Sequence, residues 1–232
     1  MAAARIPDIR RARARQVDTF FSEVDLKEVE GAVRDAEATT AGEIVPYAVS
    51  RSDRYMAAAW KGATLGAVLC AMIAAVAYTV AGYWGPWFPG WIALHSLAGA
   101  TAGFAAAGSI RSLTLWLTGP AVIEHRVRQR AQAAFLEHEV FHTRDRTGVL
   151  IFLSLFERRV VVLADSGINS CVEQHEWDAI VTGIVDGIRR GVPGRALAGA
   201  IQQCGELLTR HRIAARSDDA NELPDQLQVR RE

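Results

Sequence analysis

Two long apolar stretches without Asp, Glu, Lys or Arg constrain the fold of this chain more than any other feature. The first covers residues 62–84 and the second covers residues 91–110. Each is close in length to the ~20 residues that a helix needs to cross the hydrocarbon core of a bilayer. A buried helix of a soluble domain is rarely this long and apolar on every face. The sequence therefore predicts a transmembrane helical hairpin within residues 56–118.

The connection and the flanks of the two stretches predict their orientation in the membrane. Residues 84–90 read Trp-Gly-Pro-Trp-Phe-Pro-Gly, which indicates a tight turn with tryptophans at one membrane interface. Basic residues lie only at the opposite end: Arg51, Arg54, Lys61, Arg111, Arg126, Arg128 and Arg130. The positive-inside rule then places both chain ends in the cytoplasm. We therefore expect a multi-pass protein of the inner (cytoplasmic) membrane.

Small residues recur at every fourth position of both predicted spans. They are Ala58, Gly62, Gly66, Cys70 and Ala74 in the first, and Gly99, Gly103 and Ala107 in the second. Such ridges let two helix backbones approach closely, which favours pairing in a lipid environment. The pattern predicts packing inside the hairpin, and pairing between two copies of the chain is the alternative.

The rest of the chain is polar, and its charges balance. Lys and Arg together number 26, as do Asp and Glu, so nucleic-acid binding is not expected. The three cysteines form no C-x-x-C motif, which fits a reducing compartment. Residues 1–20 are a basic arm for which the sequence leaves two interpretations, contact with anionic lipid headgroups or a frayed, solvated terminus. Residues 213–232 are predicted to be a disordered polar tail.

The segments on either side of the hairpin predict one split α/β domain, made of residues 21–55 and 119–212. A helix precedes a strand at residues 43–50, in which Pro46 indicates an edge or a bulge. After the hairpin come a helix at about 121–142, a buried strand at 147–154 and a second strand at 160–165. Two further helices follow. We expect a small mixed sheet with helices on its faces, because neither half can bury a core alone.

Three stretches, residues 36–45, 142–154 and 157–168, resemble the TPM domain family. The resemblance is strongest to its bacterial membrane branch, in which a hairpin follows the first strand. It implies an α/β sandwich on a small mixed sheet. The family includes photosystem-repair and receptor-accessory proteins, and it implies phosphatase activity and calcium binding as functions to consider.

A cation site is expected around three acidic residues, Asp165, Glu43 and Glu173. Asp165 and Glu43 match positions that the TPM family tends to keep acidic, and Glu173 begins the helix after them. Calcium or another divalent cation would need several oxygen ligands that converge on one point. The alternative is that Asp165 caps a strand end and that the two glutamates are solvated or paired.

The segment His138-Glu139-Val140-Phe141-His142 spells the H-E-x-x-H signature of zinc proteases. The chemistry requires a helix, so that both histidines share a face and Glu139 activates a zinc-bound water. No other catalytic motif is present. The favoured hypothesis is a non-enzymatic membrane accessory protein that binds membrane lipids and another membrane protein or a second copy of itself. A TPM-type phosphatase and a zinc metalloprotease are the alternatives.

Overall fold

The computed structural model describes residues 20–82, 85, 87–211, 213 and 223–230. In chain order the elements are α1 (Glu23–Glu37), β1 (Glu43–Val49), α2 (Met56–Val80), α3 (Phe88–Ser109), α4 (Arg111–Thr118), α5 (Pro120–Glu137), β2 (Gly148–Ser154), β3 (Arg159–Ala164), α6 (Ser166–Asn169), α7 (Gln174–Arg189), α8 (Pro193–Arg210) and β4 (Gln228–Arg230). Two compact units result: one from residues up to 52 and from 127 onward, the other from residues 53–126. The first unit is thus discontinuous in sequence.

A mixed sheet with strand order β3-β2-β1-β4 forms the centre of the first unit. Strands β2 and β3 are antiparallel, whereas β1 runs parallel to both β2 and β4. Every residue of β1 and of β2 is buried, as expected for central strands rich in Val, Ile and Leu. The predicted α/β class and mixed sheet are confirmed.

Strand β1 is internal in the sheet, so the prediction that Pro46 marks an edge strand is wrong. The Glu43 amide donates to Thr147 on the β2 side, and the Ile44 amide donates to Glu37 on the other side. Because strand residues alternate, the missing amide hydrogen of Pro46 faces the same side as that of Ile44. Strand β4 pairs only with Tyr47–Val49. Proline therefore occupies the part of β1 where no ladder hydrogen bond is lost.

Helix α1 begins directly after its N-cap residue, Ser22. Ser22 and Asp25 form a capping box, in which the Ser22 hydroxyl accepts from the Asp25 amide at 3.1 Å. The buried residues of α1 pack with those of α7, α8 and one face of the sheet into one hydrophobic core. Its largest fully buried members are Ile44, Ile151, Leu153, Ile168, Ile184, Leu197, Ile201 and Leu208.

The opposite face of the sheet carries aromatic residues. Tyr47 and Phe152 stack with ring centroids 5.9 Å apart, and both are fully buried. Arg130 of α5 donates to the Tyr47 hydroxyl at 3.1 Å. The His138 ring lies 4.6 Å from the Tyr47 ring. Both faces of the sheet are therefore covered.

The polar tail departs from its prediction. Residues 228–230 form β4 on the edge of β1, so a wholly disordered tail is wrong. The sequence Gln-Val-Arg is too short to show the alternating pattern of a strand. This strand forms because it pairs with the available edge of β1. Most of the predicted basic arm, residues 1–19, and residues 214–222 lie outside the described residues.

The second unit is built on two packed helices, α2 and α3, joined through Gly82 and Gly85. The short helix α4 packs against both of them. Its Thr114 hydroxyl donates to the Ala107 carbonyl at 2.6 Å, and the Lys61 ammonium donates to the Leu117 carbonyl at 2.9 Å. Near the ends of this unit Asp53 and Arg126 form an ion pair at 3.1 Å.

Candidate functional site

The contact between α2 and α3 consists of the small residues singled out in the sequence. A methyl group on Gly66 would collide with the Gly99 carbonyl, and one on Gly103 would collide with the Gly62 carbonyl. Ala107 and Cys70 complete the contact opposite Gly62 and Gly99. The prediction that the two ridges pack against each other is confirmed. Glycine is required here because any side chain would push the backbones apart.

The large apolar side chains of the two helices point away from this contact. Ile73 is 60% exposed, Val76 is 62% exposed and Leu97 is 66% exposed. The same outward set includes Leu65, Val68, Leu69, Met72 and Leu94. In a water-soluble helical pair such residues would form the shared interface. Here the arrangement is inverted, with small residues inside and large apolar residues outside.

Tryptophans lie near both ends of the helical pair. Trp87 and Trp91 flank the start of α3 and are 74% and 45% exposed. At the other end, Trp60 packs edge-on against Phe104 with ring centroids 5.4 Å apart, and Trp116 of α4 is 74% exposed. Tryptophan concentrates where an apolar medium meets water, because its ring is apolar and its N–H is polar.

One helix in the described part of the chain is long and apolar enough to cross a membrane. It is Met56–Val80, with a mean hydropathy of 2.0 over its most apolar window, of which only 11% is buried. A core helix of a soluble protein passes the same test of length and composition but is mostly buried. Helix α3 does not qualify, since glycine, serine, threonine and His95 dilute its apolar residues. The second span therefore remains a prediction.

The three predicted cation ligands are not brought together. Asp165 is buried, caps α6 through the Ser166 amide at 2.6 Å, and lies 3.6 Å from the Arg146 guanidinium. Glu43 is buried at the start of β1. Glu173 is exposed and faces His175 at 3.2 Å. No group of three His, Cys, Asp or Glu side chains suited to a metal occurs among the residues that the structure describes.

A second acidic group, which the sequence did not single out, surrounds Glu37 at the end of α1. Its carboxylate accepts from the Ile44 amide at 2.9 Å and lies beside Glu43 and Asp225. Burial, and then the two neighbouring carboxylates, raise the pKa of Glu37 to about 8. Glu37 is therefore mostly protonated at neutral pH. The turn at residues 38–42 brings Glu37 and Glu43 together, and no sequence motif predicts this proximity.

The zinc-protease motif lacks the helix that it needs. Helix α5 ends at Glu137, and Glu139 adopts a left-handed conformation with φ 51°. His138 packs on Tyr47, whereas His142 is 78% exposed beside Glu139. The helix predicted to reach residue 142 is thus too long. The two histidines do not share a helical face, which removes the geometric basis of the protease hypothesis.

These features define a class: an α/β domain on a small mixed sheet, interrupted by a unit built on two helices that pack through glycine and expose large apolar side chains. A solved structure supports the fold. The NMR structure of BA42 protein from the psychrophilic bacterium Bizionia argentinensis matches with a TM-score of 0.56 and 19% sequence identity, covering 91% of this chain and 96% of that chain. At that identity the likeness shows the fold alone. No protein-family model and no curated protein matches the sequence.

Proposed function

We propose that this chain is a membrane-anchored accessory protein that holds a TPM-like α/β domain at the cytoplasmic face of the inner membrane. Its helices α2 and α3 would cross the bilayer as a hairpin. The observation that carries the proposal is the inverted pattern of this pair, with glycine at the contact and large apolar side chains outside. Lipid is the medium in which that pattern is favourable.

Charge and aromatic residues support the orientation. The tip between α2 and α3 carries no Asp, Glu, Lys or Arg, whereas Arg54, Lys61 and Arg111 lie at the other end of the pair. Arginine and lysine are retained on the cytoplasmic side during insertion. The exposed Trp87 and Trp116 suit the two interfaces. Both chain ends would then be cytoplasmic.

We infer a binding role, not a catalytic one, for the α/β domain. Asp165 is engaged by Arg146 and by its own helix cap, and the predicted ligands do not converge in the described residues. We therefore assign the domain a recognition role toward another membrane protein or a second copy of the chain.

Membrane extraction of a matched pair of variants tests the anchor. Leu69 lies near the middle of α2 and is 58% exposed, whereas Val24 in the first unit is 74% exposed. A charged residue at the centre of a span costs about 2.5–3.5 kcal/mol on insertion scales. Leu69→Arg should reduce the membrane-bound fraction that resists alkaline carbonate, and Val24→Arg should leave it unchanged. Release of the wild-type chain by carbonate would contradict the proposal.

Reporter fusions test the orientation independently. A fluorescent protein that folds only in the cytoplasm should be active at the C-terminus, and a periplasmic phosphatase should be inactive there. The phosphatase inserted directly after Gly85 should be active. The reverse pattern would overturn the orientation and leave the anchor intact.

A further inference from the structure

A cavity of about 240 Å³ opens beside the turn between β2 and β3 in the first unit. Its walls are apolar and come from the chain before α1, from β2 and β3, and from α7: Phe20, Leu153, Leu155, Val160, Val185 and Ile188. Pockets for drug-sized ligands measure roughly 300–1,000 Å³. The cavity is therefore suited to a narrow apolar chain and is too small for a nucleotide.

Ser154 and three arginines, Arg158, Arg159 and Arg189, complete the lining. No carboxylate lines the cavity in the described part of the chain. The nearby Glu157 does not line the cavity and is buried, where it accepts hydrogen bonds from the hydroxyl of the lining residue Ser154 and from the Ser52 amide. Asp186 forms an ion pair with Arg189, at 3.4 Å between exposed side chains. The lining therefore carries excess positive charge.

We propose that this cavity binds an anionic amphiphile with one apolar chain and a carboxylate or phosphate head. The apolar walls would remove the chain from water, and the guanidinium groups match carboxylate and phosphate oxygens with paired donors. Inorganic phosphate gains nothing from the walls, and a neutral alcohol leaves the arginines without a counter-charge. This site is independent of the membrane anchor, since all its residues belong to the α/β unit.

Photocrosslinking of the full chain tests the site without interference from detergent partitioning. The protein in phosphatidylcholine nanodiscs is labelled with a medium-chain carboxylic acid that carries a diazirine near its tail, and the labelled peptides are mapped by mass spectrometry. We expect labels within residues 153–160 and 185–188. Hexyl phosphate should compete, whereas hexanol and inorganic phosphate should not, which separates the amphiphile from a free anion.

Matched variants decide the role of the arginines and of the cavity. Arg158→Gln with Arg159→Gln should lower labelling of these peptides by about tenfold or more, because charge-assisted hydrogen bonds to the head are lost. Val185→Phe should do the same by filling the cavity. Arg190→Gln is the control, since this exposed arginine is the C-cap residue directly after α7 and does not line the cavity. Labelling confined to α2 and α3, equal labelling of all variants, or competition by inorganic phosphate would each overturn the proposal.

Discussion

At the scale of single residues, Glu37 makes the stability of the α/β unit depend on pH. Burial holds its folded-state pKa at about 8, above the usual 4.5 for glutamate. The folded state therefore binds more protons than the unfolded state between these values, so stability falls as pH rises from about 4.5 to about 8. Below that window the contribution is fully favourable. Because Glu37 is only half-buried, we expect a loss of about 1–2 kcal/mol across the window.

Substitution by glutamine, which mimics the protonated carboxyl, should remove this fall. Thermal unfolding between pH 5 and pH 8.5 is the measurement. Glu37→Gln should gain stability over the wild type at the alkaline end and differ little at the acidic end. Glu28→Gln, an exposed residue of the same helix, should keep the wild-type profile. Parallel profiles for Glu37→Gln and the wild type would show that the carboxyl group is not buried in solution.

At the scale of elements, the helical pair of the second unit depends on its glycines. Leucine at position 66 would collide with the Gly99 carbonyl, which is backbone and cannot rotate away. Overpacking of a close contact costs about 1–3 kcal/mol. Gly66→Leu should lower the unfolding temperature in detergent and expose the turn between α2 and α3 to protease. Gly108→Leu should do neither, because a side chain there meets nothing within 4 Å. Equal behaviour of both variants would refute close packing.

The sequence was most informative about elements whose residues repeat a strong pattern. The apolar run of β2 predicts a buried strand. The recurrence of glycine at every fourth position, at Gly62 and Gly66 and at Gly99 and Gly103, predicts a close contact between helices. The tail strand β4 and the proximity of Glu37 to Glu43 could not be predicted this way. Each depends on a partner that the fold brings close. The strand has three residues and the carboxylate pair has two, which is too few to show a periodic pattern in the sequence.

The zinc-site prediction from the H-E-x-x-H motif was wrong because it also depended on structure that the residues themselves do not determine. Five letters specify the residue types of a zinc site and leave the backbone unspecified. Helix α5 ends one residue before the motif, so the same letters lie in a turn with His138 against Tyr47. A third ligand would have had to come from elsewhere in the chain.

At the scale of the whole molecule, the α/β unit should fold without the helical unit. Every residue of its hydrophobic core lies outside residues 53–126, and β1 pairs directly with β2. A Gly/Ser linker of about 15 residues, which spans on the order of 20 Å, can replace that segment. The shortened chain should stay in solution without detergent and unfold cooperatively, as followed by circular dichroism. Its amide protection should be highest in β1 and β2, which are buried throughout. A shortened chain that aggregates or lacks a cooperative transition would mean that the helical unit contributes to the sheet's stability, contrary to a core assembled entirely from the two flanking segments.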